Sequence, residues 1–213
     1  MVVNGAKMIH TCVVSPHTDI VIEGPHRCGN TFAVVAFQLA QKQPAVVAHH
    51  LHAEAQIIQG VAQHIPVILL VRHPEDMVVS TAVSFGFPLK QAFLYYSTFY
   101  DRVLPYLDHV VIANFETVTS DFGRVIEAVN NKFGTNFGVF QHTQENVDRC
   151  FKIIDEFYQR TAPEPDRTVA RPSEQRHKTK AMLRSEFFTV KYANQRARAE
   201  ALYETLLEKE FAW

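Results

Sequence analysis

"IVIEGPHRCGNTF", residues 20–32, decides the fold. It opens as a brief β-branched run, stops at Gly24-Pro25, and resumes at Asn30 as the start of an apolar helical pattern. A short apolar run bounded by Gly and Pro reads as a buried strand. Strand, glycine-framed turn and helix in that order read as one unit of an α/β sheet. The alternation continues outward: strands are expected at 19–24, 45–50, 66–74 and 109–116, and helices at 30–43, 53–65, from Pro74 onward, at 89–107 and at 121–134. "PVILLVRHP" (66–74) has the composition of a central parallel strand covered on both faces. Beyond about residue 138 the pattern turns helical, interrupted by a Pro- and charge-rich stretch at 161–178. The expectation is one domain over 1–213: a parallel sheet flanked by helices (core about 15–138), then a helical C-terminal extension (139–213).

The bulk numbers exclude several classes. The 213 residues are 47% hydrophobic and 20% charged, enough to bury a core, and the net charge of -1 gives no reason to expect a nucleic-acid partner. Three widely spaced cysteines, Cys12, Cys28 and Cys150, fit a reducing compartment better than a disulfide scaffold. The N-terminus lacks the apolar region of a signal peptide, and no stretch has the ~18 apolar residues of a membrane span. A cytoplasmic protein with no membrane partner is expected.

Gly24-x4-Gly29-Asn30-Thr31 has the spacing of a Walker A phosphate loop, with Asn30 where a nucleotide kinase carries lysine. Backbone N–H groups and the helix dipole still favour an anion. Arg27 adds charge from within the loop and Thr31 a hydroxyl at the helix start; Cys28 sits where a helix N-terminus could acidify a thiol. The sheet is therefore expected to be of P-loop type. A second segment, "VRHPEDMVVS" (71–80), puts Arg72 at a strand's C-terminal end and Ser80 on the next helix. Ligands of open α/β sheets bind at that edge, so Arg72 and Ser80 are aimed at the same crevice, against the plainer reading of an Arg72–Asp76 surface pair and a solvent-facing serine.

Together, "GPHRCGNTF" and "VRHPEDMVVS" resemble the two cofactor signatures of sulfotransferases that use 3′-phosphoadenosine 5′-phosphosulfate (PAPS). A third segment, "VVIANFETVTSDFGRVIEAVNNKFG", is similar to the strand and helix that follow in that family, with Phe115 where the family has Tyr. The resemblance covers about residues 19–134. It implies that Arg27, Cys28, Gly29, Asn30, Thr31 and Phe32 hold the 5′-phosphosulfate, that Arg72 and Ser80 hold the 3′-phosphate, and that no metal is required. Adenosine 3′,5′-bisphosphate would be the product, and the acceptor a small-molecule or carbohydrate-like hydroxyl or, less favoured, an amine. Arg171, Arg176 and Lys178 are weaker candidates for a basic lid over the cofactor.

In-line transfer needs a base, and "VVAHHLHAEAQI" offers His49, His50 and His52 at the end of the second strand. The resemblance aligns His50 with the family's base. On a strand His50 and His52 share a face, which keeps His52 as the alternative; Glu54 is weaker. Phe85, Phe87, Tyr95, Tyr96 and Phe99 are candidates for an acceptor pocket, although such a stripe at helical spacing is more often core. The competing functions are a nucleotide kinase or phosphotransferase, which Asn30 disfavours, and a non-catalytic nucleotide-binding homologue.

Overall fold

The computed structural model describes residues 2–3, 6–7, 13–161 and 174–210. Strands β1 (Val2–Val3) and β2 (Ala6–Lys7) pair antiparallel. The sheet that organises the chain is separate: β3 (Ile20–Glu23), β4 (Val47–His49), β5 (Val67–Val71) and β6 (Val111–Asn114), in the order β4-β3-β5-β6, all parallel. Every residue of β3 and β5 is buried, as expected of central strands with helices on both faces.

Connections fix the faces. From β3 the chain runs through α1 (Asn30–Ala40) outward to β4, then returns through α2 (Glu54–Ala62) past β3 to β5. Right-handed crossovers that run in opposite directions lie on opposite faces of a sheet. Accordingly α1 packs with α6 (Phe122–Phe133) and α7 (Gln144–Thr161) on one face. On the other, α2 packs with α4 (Leu89–Val103), which follows α3 (Pro74–Phe85). The direction of the connections reverses between β3 and β5, the position at which open α/β sheets bind ligands, and the loops 24–29 and 72–73 emerge there at the carboxyl ends of the strands.

The aromatic stripe of α4 is core: Phe93, Tyr96, Phe99 and Tyr100 are fully buried. Its hydroxyls are spent on strand ends, Tyr96 donating to the Arg72 carbonyl (3.2 Å) and Tyr100 to that of Leu70 (3.1 Å). Helix α3 begins with Pro74, Glu75 and Asp76, a favourable N-terminal sequence, and stops at Gly86 in the left-handed conformation.

The C-terminal helices pack onto the α3/α4 side. Helix α8 (Glu174–Phe187) lies along α3, with Arg184 paired to Glu75 and Asp76, and Phe187 stacks on Phe93 at 4.9 Å. Helix α9 (Ala193–Glu208) packs on α4, and Glu210 beyond it accepts the Asn114 backbone N–H at 2.9 Å. No helix among the described residues is long and apolar enough to cross a membrane.

Two expectations change. The fourth strand ends at Asn114, and Phe115 begins a short helix, α5 (Phe115–Ser120), because the Asn114 side chain caps it through the Thr117 N–H at 2.7 Å. The second strand ends at His49; His50 and His52 sit in the left-handed region (φ 59° and 52°) and are not strand residues on one face.

Candidate functional site

The loop between β3 and α1 is closed by its own side chains. Asn30, at the lysine position, donates from Nδ2 to the Pro25 carbonyl at 2.9 Å and so draws the turn together. Its Oδ1 is buried with no partner. Gly24 is required by close approach: a Cβ there would stand 2.6 Å from the Leu70 carbonyl oxygen. Gly29 is required by its φ of 87°, which starts α1 from the left-handed region. No side chain caps the N-terminus of α1.

Arg27 also has a left-handed backbone (φ 71°). Its Nε donates to Ser80 Oγ at 3.1 Å, and its carbonyl accepts from Arg72 Nη1 at 2.9 Å. The Arg72 guanidinium lies over the Phe115 ring, 3.9 Å from the centroid. The same ring would be 3.4 Å from a Cβ on Gly29. Phe115 is thus a common floor for the arginine and for the helix start. Arg72 has no carboxylate partner among the described residues, and its Nε is buried without an acceptor. A half-buried guanidinium with no counter-ion is an anion-receptive group.

Ser80 is 2% exposed, not solvent-facing, and Asp76 pairs with Arg184 rather than with Arg72. The structure therefore joins Arg27, Arg72 and Ser80 in one contiguous cluster, where the sequence implied two separate phosphate contacts. Thr31 lies at the helix start and Phe32 turns into the core. Cys28 is fully buried in the core, and burial pushes its thiol up to about 12 against the Tyr100 hydrogen bond and the charges of Arg72 and Arg27.

The histidines cross from the other side. His50 Nε2 is 3.1 Å from Thr31 Oγ1, and its Nδ1 shares a hydrogen with Nδ1 of buried His49 at 2.6 Å. His52 donates from Nδ1 to the Gly24 carbonyl at 2.9 Å, which leaves its lone pair on Nε2. The rings of His52 and His26 lie 3.8 Å apart, and Phe85 lies 4.6 Å beyond His26. Burial, with the nearby His52 and Arg27, pushes His26 down to about 3, and burial likewise lowers His52; both are neutral imidazoles at physiological pH. Among the described residues no group of three or more His, Cys, Asp or Glu is arranged to hold a metal ion.

Two residues join the loops: Tyr95, a candidate for lining an acceptor pocket whose hydroxyl instead ties backbone groups together, and Glu23, which the sequence reading did not single out. Tyr95 OH accepts from the His26 N–H (3.1 Å) and donates to the His52 carbonyl (3.3 Å). Glu23, at the end of β3 and wholly buried, accepts from the Leu51 N–H at 2.9 Å and from Gln56 Nε2 at 3.0 Å. The signal for Glu23 was present: a carboxylate closing an otherwise apolar central strand.

The outlying candidates fall elsewhere. Glu54 is paired with Arg102. Arg171 lies outside the described residues, Arg176 is in α8 with its side chain outside them, and Lys178 is exposed on α8. Of the aromatic candidates, Tyr96 and Phe99 are core; Phe85 is 44% exposed beside His26, with the Phe87 ring tilted against it at 5.5 Å. An open groove of about 480 Å³ along α7 is lined by Asp148, Asp155 and Glu156 with a single cation, Lys152, the wrong sign for an anionic nucleotide.

No known family model matches the chain, and no curated protein matches it.

Proposed function

We propose that this chain is a PAPS-dependent sulfotransferase built on a P-loop-type sheet. The observation that carries the reading is the contact between the two segments that the sequence resemblance pairs. Arg27 reaches Ser80 (3.1 Å) and Arg72 reaches the Arg27 carbonyl (2.9 Å), at the carboxyl ends of adjacent parallel strands. The kinase alternative loses further ground because Asn30 is engaged in closing the loop.

In the proposed reaction the 5′-phosphosulfate lies against the N-terminus of α1, with Arg27 turned onto it, and Arg72 and Ser80 meet the 3′-phosphate. His50 is the base: its Nε2 stands at Thr31, next to where the sulfuryl group would lie, and His49 orients the ring from the opposite nitrogen. The acceptor hydroxyl exchanges places with the Thr31 contact, gives its proton to His50, and forms a new S–O bond. The bond from sulfur to the phosphate oxygen breaks, and adenosine 3′,5′-bisphosphate leaves with the electron pair. Arg27 and the helix amides stabilise the charge that builds on that oxygen. His52, tied to the Gly24 carbonyl and packed on His26, holds the loop rather than the proton.

The test is a thermal-shift comparison of adenosine 3′,5′-bisphosphate with ATP·Mg²⁺, followed by transfer of labelled sulfate to a panel of alcohols. Stabilisation by the bisphosphate is expected, with turnover lost in His50→Ala and retained in part in His52→Ala. A shift with ATP·Mg²⁺ and none with the bisphosphate would sink the reading.

A further inference from the structure

The residues between the phosphate loop and the histidines raise a question of geometry. His50 and His52 both have left-handed backbones, at φ 59° and 52°, a conformation that disfavours side chains with a Cβ by about 1 kcal/mol each. Two such residues flanking Leu51 do not hold themselves. The N–H of Leu51, midway between them, is captured by Glu23 Oε2 at 2.9 Å. The other oxygen, Oε1, is 3.1 Å from the Gly24 N–H and 3.7 Å from His52 Nδ1. Gln56 on α2 closes the arrangement, donating to Oε2 at 3.0 Å while its own carbonyl oxygen accepts the Val14 N–H at 3.2 Å.

One buried carboxylate thus meets donors from the first residue of the phosphate loop, from the histidine loop and from α2. A carboxylate suits this place because it only accepts, and every hydrogen-bonding group turned towards it is a donor. An amide there would turn two hydrogens of its own towards those donors.

We propose that Glu23 is a positioning residue that fixes the phosphate loop and the histidine loop in a single geometry, so that the anion cradle and the base are set by one side chain. The proposal rests on the sulfotransferase reading for its chemistry, but the arrangement it describes has a signature of its own. Glu23 touches neither cofactor nor acceptor; it acts through Leu51 and His52. Among the described residues its titratable neighbours include His52 from the histidine loop and Tyr95 from α4, while α2 offers neutral Gln56.

The experiment uses the full chain, with the histidine rings followed by nitrogen NMR at one fixed pH and adenosine 3′,5′-bisphosphate titrated calorimetrically. In the wild type His52 is expected as the Nδ1–H tautomer. Glu23→Gln is expected to shift the His50 and His52 ring resonances, to reduce the Nδ1–H population of His52, and to weaken bisphosphate binding by about tenfold. If Glu23→Gln does not fold, Gln56→Met disturbs the same carboxylate from α2 and is expected to move the same resonances by less. Failure of the wild type to bind bisphosphate would count against the sulfotransferase reading alone, since the ring signals still report on Glu23. Ring resonances and tautomers of His50 and His52 unchanged in whichever variant folds would overturn the proposal.

Discussion

Arg72→Ala tests the site where stability and binding meet. The wild-type guanidinium makes one charge-assisted hydrogen bond to the Arg27 carbonyl at 2.9 Å and lies 3.9 Å from the Phe115 centroid. A hydrogen bond to a charged group contributes about 1.5–3 kcal/mol, and a partly desolvated cation–π contact about 1–2 kcal/mol. Against these stands the desolvation of a cation whose Nε has no partner. A net destabilisation of about 2–3 kcal/mol follows, or roughly 4–12 °C in Tm for a domain of this size. Arg72→Lys keeps the charge and loses the planar face, so about half of that loss is expected. For adenosine 3′,5′-bisphosphate the ordering is the same: Arg72→Ala should weaken binding by about 100-fold, and Arg72→Lys by less, because charge matters more than stacking to a phosphate. Urea denaturation followed by circular dichroism, together with calorimetry, reads both. An Arg72→Ala protein within about 0.5 kcal/mol of wild type, the range of an ordinary surface substitution, would refute the structural argument.

Gly29→Ala places a side chain at φ 87° and against Phe115, and is expected to lose about 1–2 kcal/mol together with bisphosphate binding; an unchanged Tm would show that the helix start tolerates it. Tyr95→Phe removes the hydroxyl that joins the His26 N–H to the His52 carbonyl, and about 1–2 kcal/mol in urea denaturation is expected. The pH dependence has two limbs. Burial raises Glu23 from 4.5 to about 7 against the surrounding donors, which favour its carboxylate, so folding stability is greatest below pH 4.5 and falls by roughly 3 kcal/mol as pH rises through about 7. Relative to Glu23→Gln, wild type should fall by about that amount across the window, and parallel profiles would contradict it. His26, lowered from 6.5 to about 3, acts in the opposite sense: its contribution is present above pH 6.5 and lost as pH falls through about 3.

Much of the sheet was legible because its strands are apolar on both faces. "IVIE" and "VILLV" carry the signal of buried strands whatever their neighbours, and Gly134 marked the end of α6 by its left-handed conformation. The limits of legibility were local. "HVVIANFE" continues as an apolar run, and the Asn114 cap that ends it shows only as a hydrogen bond to the Thr117 N–H. The histidine segment read as strand because period-two spacing says nothing about φ, and the turn there depends on Glu23, 28 residues before Leu51. Arg27, Arg72 and Ser80 were identifiable as side chains converging on one edge of the sheet. Their direct contact was not, since spacing along a chain fixes the edge from which a side chain departs and not the partner it meets. Cys28 shows competing effects: complete burial raises its thiol and outweighs the Tyr100 hydrogen bond and two arginines, which favour a thiolate.

Arg27 resting on Ser80 bears on turnover. A guanidinium held on a serine hydroxyl is not stranded when its anion departs. In the proposed sulfotransferase cycle an arriving phosphate would displace the hydroxyl, and on departure the hydroxyl would take the guanidinium back, so that both the filled and the vacated forms would keep their donors engaged. In such an exchange the residue that grips a leaving product also has somewhere to go, and shedding the spent nucleotide need not be the slow event of the cycle.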